Sequence, residues 1–430
     1  MLFIPETLEI NGKTYKTDSW TNVPPNIISL TDRSLHLNEN HPIGILRDLI
    51  ETRFKDLGYT FYNNFKPVVS TYENFDALGF PKDHPGRSKT DTYYVNETTL
   101  LRTHTSAHEV ECFQTCKTPG YFISADVYRR DEIDKTHYPA FHQMEGARIW
   151  SRDEYGDKLE AKILDDLKQI PEVDIIVEDN APPFHPESNP KQSYMTDREA
   201  ELVGTHLKRT LEVLVNEVFN EAKKAAKLAG SDEPYLNEPL KVRWVEAYFP
   251  WTAPSWEIEV WWKGEWLECL GCGVVREEVL TNSGIKNTIG WAFGIGLDRI
   301  AMLLFGIPDI RLFWTLDERF GKQFQKGKIS TFKPYSKYPA TLRDIAFWVP
   351  SVDEKVHIND IMEIVRDVGG DLVENVSLVD EFTHPKTGRN SQCYRINYQS
   401  MDRSLTNEEV NVLQEQIREK VAETFDVELR

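Results

Sequence analysis

Five cysteines in 430 residues are too few for a disulfide framework, so the chain reads as a protein of a reducing compartment. No apolar run reaches the ~18 residues that a membrane-spanning helix needs, which argues against a helical membrane protein. Basic residues are in the minority, 50 against 69 acidic, for a formal net charge of -19. That balance excludes bulk attraction to nucleic acid and leaves only a local basic surface for such a partner. No repeat recurs at a fixed period, so a solenoid or propeller is excluded. The start, MLFIPETLEI, has neither the apolar core of a secretory signal nor the Arg/Ser-rich pattern of a transit peptide, and a targeting segment is read as absent or removed. What the chain does have is length and 40% hydrophobic residues, enough for two or three domains with buried cores.

Residues 42 to 57 predict a helix: Pro42 suits its first position, Leu46, Leu49, Ile50, Phe54 and Leu57 share a face, and Gly58 suits its end. YTFYNNF follows as a strand. Residues 151 to 195 are charged, then Pro-rich (NAPPFHPESNP), and read as an inserted loop region. Residues 197 to 229 suit a long amphipathic helix through Leu207, Leu211, Leu214, Val215 and Val218. EIEVWW and EWLECL, joined at Lys263-Gly264, read as a hairpin, and NTIGWAF as a strand leading into a helix near Leu297. The first three hundred residues thus predict an α+β layout, an antiparallel sheet with helices on one side. The last hundred read β-α-β-β-α-β, the ferredoxin-like plan, with Thr406 and Glu409 capping the second helix. The expected division is an N-terminal extension (1–40), a large unit (41–318), a basic linker (319–338) and the small unit (339–430).

The linker segment GKQFQKGKISTFKPYSKYPA, residues 321 to 340, carries Lys322, Lys326, Lys328, Lys333 and Lys337 and no acidic residue, with Phe324, Phe332, Tyr335 and Tyr338 interleaved. It reads either as a solvated linker or as a phosphate-contacting stripe in an acidic protein.

Two stretches concentrate chemistry. VYRRDEIDKTHYP (127–139) and FHQMEG (141–146) read as a hairpin with a long polar loop. An arginine at the inner end of such a strand can bind phosphate bidentately. Gln143 and Glu145 alternate with Met144 and so share one face with Phe141; an amide beside a carboxylate suits an ammonium, and Phe141 a flat ring. The rival reading is a charged surface hairpin. In GWAFGIGLDRIAMLLFG (290–306), Gly294 and Gly296 let backbone approach a ligand, and Arg299 lies in the first turn of a helix, where anions are favoured. Its rival is plain strand–helix packing.

These stretches resemble motifs 2 and 3 of the class II aminoacyl-tRNA synthetases. HPIGILRDLIETRFKDLGY, ENFDALGFPKDHPGR, LLRTHTSAHE, AYFPW and PDIRLFW resemble successive blocks of phenylalanyl-tRNA synthetase catalytic chains, and the last hundred residues resemble the ferredoxin-fold anticodon-binding domain of the single-chain mitochondrial form. The resemblance implies activation of phenylalanine by ATP with Mg2+, and transfer to the terminal adenosine of tRNA(Phe). It also implies a monomer without a stable protein partner, in the mitochondrial matrix. It implies catalytic roles for Arg129 and Arg299 on the phosphates. Thr136, His137, Tyr138, Phe141 and Glu268 would serve ATP, Glu268 with the metal. Ser106, Ala107, His108, Glu109, Gln143, Met144, Glu145, Phe249, Trp251 and Phe293 would hold phenylalanine, and Lys326, Lys328, Lys333, Lys386 and Arg389 the tRNA.

The sequence departs from the pattern at Trp251, where phenylalanine is common, at Glu109, where glutamine is, and at Asp131 and Asp298, where glutamate is. Cys269 and Cys272 with Cys112 and Cys116 could suggest zinc, but their spacing favours buried thiols. His104 and His108 lack the glutamate of an HExxH site. Two other functions remain to be separated by assay: another adenylate-forming ligase, and a non-catalytic RNA-binding relative.

Overall fold

A computed structural model describes residues 5–334, 338–349 and 356–430. Tyr335 and Lys337 of the basic segment lie outside the described residues.

The large unit is built on one eight-stranded sheet: β1 (Tyr59–Tyr62), β2 (Gly120–Tyr128), β3 (Ala140–Ser151), β4 (Ile175–Glu178), β5 (Leu240–Glu246), β6 (Thr252–Trp262), β7 (Glu265–Val275) and β8 (Thr288–Gly296), in the spatial order β1-β2-β3-β8-β7-β6-β5-β4. The six central strands pair antiparallel, as expected. The two edge strands pair parallel, β1 with β2 and β4 with β5. Each parallel pair is separated by a long crossover, which parallel pairing requires. The β6–β7 turn places Lys263 and Gly264 at positive φ, 51° and 91°, as a two-residue hairpin turn demands.

Helices α1 (Pro42–Phe54), α4 (Asp197–Leu228) and α6 (Leu297–Phe305) pack on one face of this sheet around Met144, Trp150, Trp256, Trp291 and Phe293. Thr196 and Glu199 form the reciprocal cap that starts α4. Gly204 on α4 gives Trp256 room, since a Cβ there would lie 3.0 Å from the indole. The opposite face carries the shorter helices α2 (Glu109–Thr115) and α5 (Glu277–Asn282) beside an open hollow.

The 151 to 195 segment is not all loop. It forms α3 (Leu159–Gln169) and the edge strand β4. Asp166 of α3 accepts from Arg148 and from the Trp150 indole at 3.0 and 2.8 Å, tying the segment to β3. The basic segment is likewise folded back: Phe324, Ile329 and Phe332 are buried in the large core.

The small unit runs β9 (Thr341–Trp348), α7 (Ile358–Gly369), β10 (Val373–Thr383), β11 (Asn390–Tyr398), α8 (Asn407–Phe425) and β12 (Glu428–Leu429), the expected order. Its sheet, β10-β11-β9-β12, carries both helices on one face.

Candidate active site

The hollow on the second face of the large sheet is a cavity of about 450 Å3. Its floor follows from strand register. Glu145 on β3 pairs with Gly294 on β8, Gly294 with Gly271 on β7, and Gly271 with Glu257 on β6. Directly paired residues point to the same face. A Cβ on Gly294 or Gly296 would meet nothing within 4 Å, so the floor there is bare backbone open to a ligand. Gly271 is different: a Cβ would strike the Phe249 ring at 2.4 Å.

One wall is aromatic. Trp251 stacks against Phe80 with ring centres 5.5 Å apart and against Phe249 at 6.2 Å. His104 lies parallel to Phe80 at 5.6 Å. Burial, then the nearby Arg129 charge, pull the His104 imidazole down to about 3, so it is neutral and continues the flat wall. Trp251 therefore belongs to the cavity, as the sequence suggests. Phe80 is a cavity residue that the sequence reading missed, although it lies inside a quoted motif; His104, read there as a substrate contact or structural residue rather than a metal ligand, lines the cavity too.

The other wall is polar. Glu145 is 4% exposed. One of its oxygens accepts from the Ser106 hydroxyl and from Thr105 Oγ1. The other, Oε1, is buried without a hydrogen-bond partner. Desolvation pushes this carboxyl up to about 7 against the partial relief of those hydroxyls. Gln143 Oε1 accepts from the Thr105 backbone at 3.2 Å. Arg129 reaches the same cavity, with Nε donating to Thr103 O at 2.8 Å and its guanidinium 5.2 Å from the centre of the Phe141 ring. A guanidinium so held is aimed rather than loose.

Beyond the bare floor, Glu257, Glu259 and Glu268 cluster on the same side. Burial raises Glu257, and the charges of Glu268 and Glu259 add to it. Arg243 pairs with Glu259. Arg299 is exposed in the first turn of α6, just after Gly296, and Glu268 is exposed on β7. Neither lines the cavity itself.

Several expected site residues are elsewhere. Met144 and Phe293 alternate with Glu145 and Gly294, so their side chains enter the helix-side core; Phe293 packs on Phe122 at 5.4 Å, while its place on β8 still borders the cavity. His108 turns away, stacking on Phe65 at 4.3 Å with Nε2 3.0 Å from Arg102. Ala107 is buried in a small apolar cluster with Val69, Phe75, Tyr94 and Leu100. Thr136, His137 and Tyr138 do not reach the cavity. Asp134 holds Thr136 and His137, and Tyr138 donates to Asp371 of the small unit at 2.7 Å. The physical reason is the loop's tip: Ile133 is buried in the small unit's core, and Val376 N donates to its carbonyl at 3.0 Å. His137 and Tyr138 instead line a second cavity, of about 440 Å3, between the two units.

The basic residues divide. Lys328, Lys333 and Lys386 are exposed, whereas Lys326 pairs with Glu39 at 2.6 Å. Phe324 and Phe332 are buried and cannot serve as stacking platforms for bases. A different aromatic patch is present on the small unit. Trp348, Phe382 and His384 cluster with ring centres 6.0 to 6.3 Å apart. Arg389 lies 5.0 Å over Trp348, and Arg430 lies 5.4 Å from both Trp348 and Phe382. Trp348, Phe382 and Arg430 were not legible as a group, because they come from two strands and the chain end. The thiols of Cys269 and Cys272 are buried, and burial raises the first to about 12. Among the described residues, the one grouping of three or more His, Cys, Asp or Glu side chains close enough to share an ion is Glu132, Asp134 and His137, at the loop tip.

The family model for the tRNA synthetase class II core domain matches residues 26–167 and 194–324, and that for the ferredoxin-fold anticodon-binding domain matches 336–430. The mitochondrial phenylalanine–tRNA ligase of Saccharomyces cerevisiae is 60% identical, over 98% of this chain and 95% of that one. The mitochondrial enzyme of Mus musculus is 42% identical, over 98% and 89%. The phenylalanine–tRNA ligase alpha subunit of Klebsiella pneumoniae is 33% identical, over 69% of this chain and 72% of its own. The chain therefore belongs to the class II tRNA synthetases, among the phenylalanine–tRNA ligases that carry the anticodon-binding domain on the same polypeptide.

Proposed function

We propose that the chain is a phenylalanine–tRNA ligase of the mitochondrion, acting in the matrix on tRNA(Phe). Glu145 carries the reading: a buried carboxylate with one oxygen unpartnered, at the foot of an aromatic wall, is what a phenylalanine zwitterion needs. The ring would lie along Phe249 and Trp251, and the ammonium would sit between Glu145, Gln143 and Ser106. The substrate carboxylate then attacks the α-phosphorus of ATP and the bond to pyrophosphate breaks, leaving phenylalanyl-adenylate. Arg129 would hold the α-phosphate as charge builds, Arg299 the far phosphates, and Phe141 the adenine. The 2′-hydroxyl of the terminal adenosine next attacks the carbonyl, loses its proton, and AMP departs. Positioning and electrostatics suffice; no acid–base dyad is needed.

Class II synthetases use ATP with Mg2+, and the residues fit the ion: Glu257 and Glu268 are clustered oxygen donors beside the bare floor, the hard-ligand set that Mg2+ prefers. When bound, it would neutralise phosphate charge there. Lys328, Lys333 and Lys386 are available to tRNA phosphates, and the Trp348 patch to its bases. Among the described residues, no helix is long and apolar enough to cross a membrane.

The test is ATP–pyrophosphate exchange without tRNA across the twenty amino acids. Strong signal with phenylalanine and weak signal with tyrosine is expected. Signal with another amino acid overturns the specificity; no signal with any overturns the reading in favour of RNA binding or an acid substrate outside the twenty.

A further inference from the structure

The amino-acid cavity holds a second carboxylate, and its surroundings differ from those of the first. Glu109, on the first turn of α2, lines the same cavity and is 3% exposed. Glu145 has two hydroxyl donors. The Glu109 carboxyl has no hydrogen bond and no ion pair among the described residues. The titratable groups in electrostatic reach are Glu145 on β3, Tyr121 on β2 and Cys112 on its own helix, and none of them is a cation. The α5 side chains packed there, Val279 and Leu280, are apolar, as is Ala292 of β8. Arg129, the cation of this cavity, is committed to Thr103 and Phe141.

Two buried carboxylates that line one cavity, neither paired with a cation, do not both ionise. The one with donors ionises first, and its charge holds the proton on the other. We infer that Glu109 works as a neutral carboxylic acid, so that the cavity presents a single negative charge, on Glu145, to the single ammonium of the substrate. This rests on the phenylalanine-site reading and deepens it. Burial and then the charge of Glu145 push the Glu109 carboxyl well above the usual range, in keeping with the geometry. Glu109 is a positioning residue here: its proton keeps the pocket's charge matched to the substrate. Bound phenylalanine excludes water from Glu109 and so opposes its ionisation; binding and loss of that proton are antagonistic.

The experiment is isotope-edited infrared spectroscopy of full-length protein labelled with 13C-glutamate, at about pH 8.5, where Glu145 is mostly ionised. A carbonyl band of a protonated carboxyl is expected in the wild type and is expected to vanish in Glu109→Gln. In pyrophosphate exchange, the wild-type KM for phenylalanine should rise toward alkaline pH at least threefold more steeply than that of Glu109→Gln, because the amide cannot ionise. No protonated band in the wild type, a band that survives Glu109→Gln, or parallel KM profiles would each overturn the inference. The infrared result needs no substrate. A wild type that activates some other amino acid would therefore sink the phenylalanine reading and leave the protonation of Glu109 to be judged by its band.

Discussion

Glu145 and Glu257 stand at the two ends of one row of paired residues, and the two positions between them, Gly294 and Gly271, carry no side chain. Three strand spacings put their backbones about 14 Å apart across a bare floor. One end suits an ammonium and the other a phosphate-bound cation, with the reacting carboxylate and phosphate over the glycines between them. Gly294→Ala should fold with a near-wild-type Tm, since its methyl meets nothing, yet raise the KM for phenylalanine or ATP by about tenfold. Gly271→Ala should lower Tm as well, because Phe249 has to move. Thermal melts beside exchange kinetics separate the two.

Glu145→Gln should cost at least a hundredfold in kcat/KM for phenylalanine, because it removes the charge paired with the ammonium. It should also raise Tm at pH 8, since it relieves a buried carboxylate with an unpartnered oxygen. Loss of activity together with a lower Tm would point to a structural role instead.

Acidification should weaken amino-acid binding. The Glu145 carboxyl sits at about 7, and its protonated form cannot pair with an ammonium. The KM for phenylalanine should therefore fall about tenfold from pH 6 to pH 8. The sign for stability is the reverse. A carboxyl raised in the fold keeps its proton longer than in the unfolded chain, so its contribution is fully present below the ordinary value of 4.5 and is lost as pH rises to about 7. Urea midpoints at pH 5 and pH 8 would show it, and Glu145→Gln should flatten the difference.

Tyrosine should be rejected at the aromatic wall by only ~10²-fold, the usual limit for an added hydroxyl in an apolar pocket. With discrimination placed at the pocket alone, Tyr-tRNA made by the enzyme should persist. Rapid hydrolysis of added Tyr-tRNA would contradict this.

Trp348→Ala or Arg430→Ala should weaken tRNA binding by about 1–3 kcal/mol, the worth of one stacked base, and leave exchange without tRNA unchanged. Charge reversal of Lys328 and Lys333 should reduce the salt dependence of tRNA affinity. Filter binding at several salt concentrations measures both.

Period and capping made the fold readable. Thr196 with Glu199 and the apolar stripe of Leu207, Leu211 and Leu214 announce α4, and the β-α-β-β-α-β order of the small unit appears in the chain as in space. β4 escaped because it is four residues long, half exposed and framed by proline-rich chain. Two misplacements were avoidable. The alternation that puts Gln143 and Glu145 on one face puts Met144 on the other, and the same rule sends Phe293 away from Gly294. The motif 2 loop was not readable at all. Its partners Asp371 and Val376 lie more than two hundred residues downstream, and nothing local to Ile133 says which core will bury it.

That loop makes the two units less separable than their sequences suggest. Arg130 pairs with Asp360 at 3.0 Å, Arg366 donates to Asp131 O at 2.6 Å, Tyr93 donates to Glu363 at 2.8 Å, and Arg311 donates to the carbonyls of Asp371 and Gln399. Cutting the chain after the large unit would strand two arginines and a leaf of the phosphate-side hairpin at once. Such a truncation is best understood as an active-site lesion made at a distance, and a catalytic fragment obtained that way would report on a damaged hairpin.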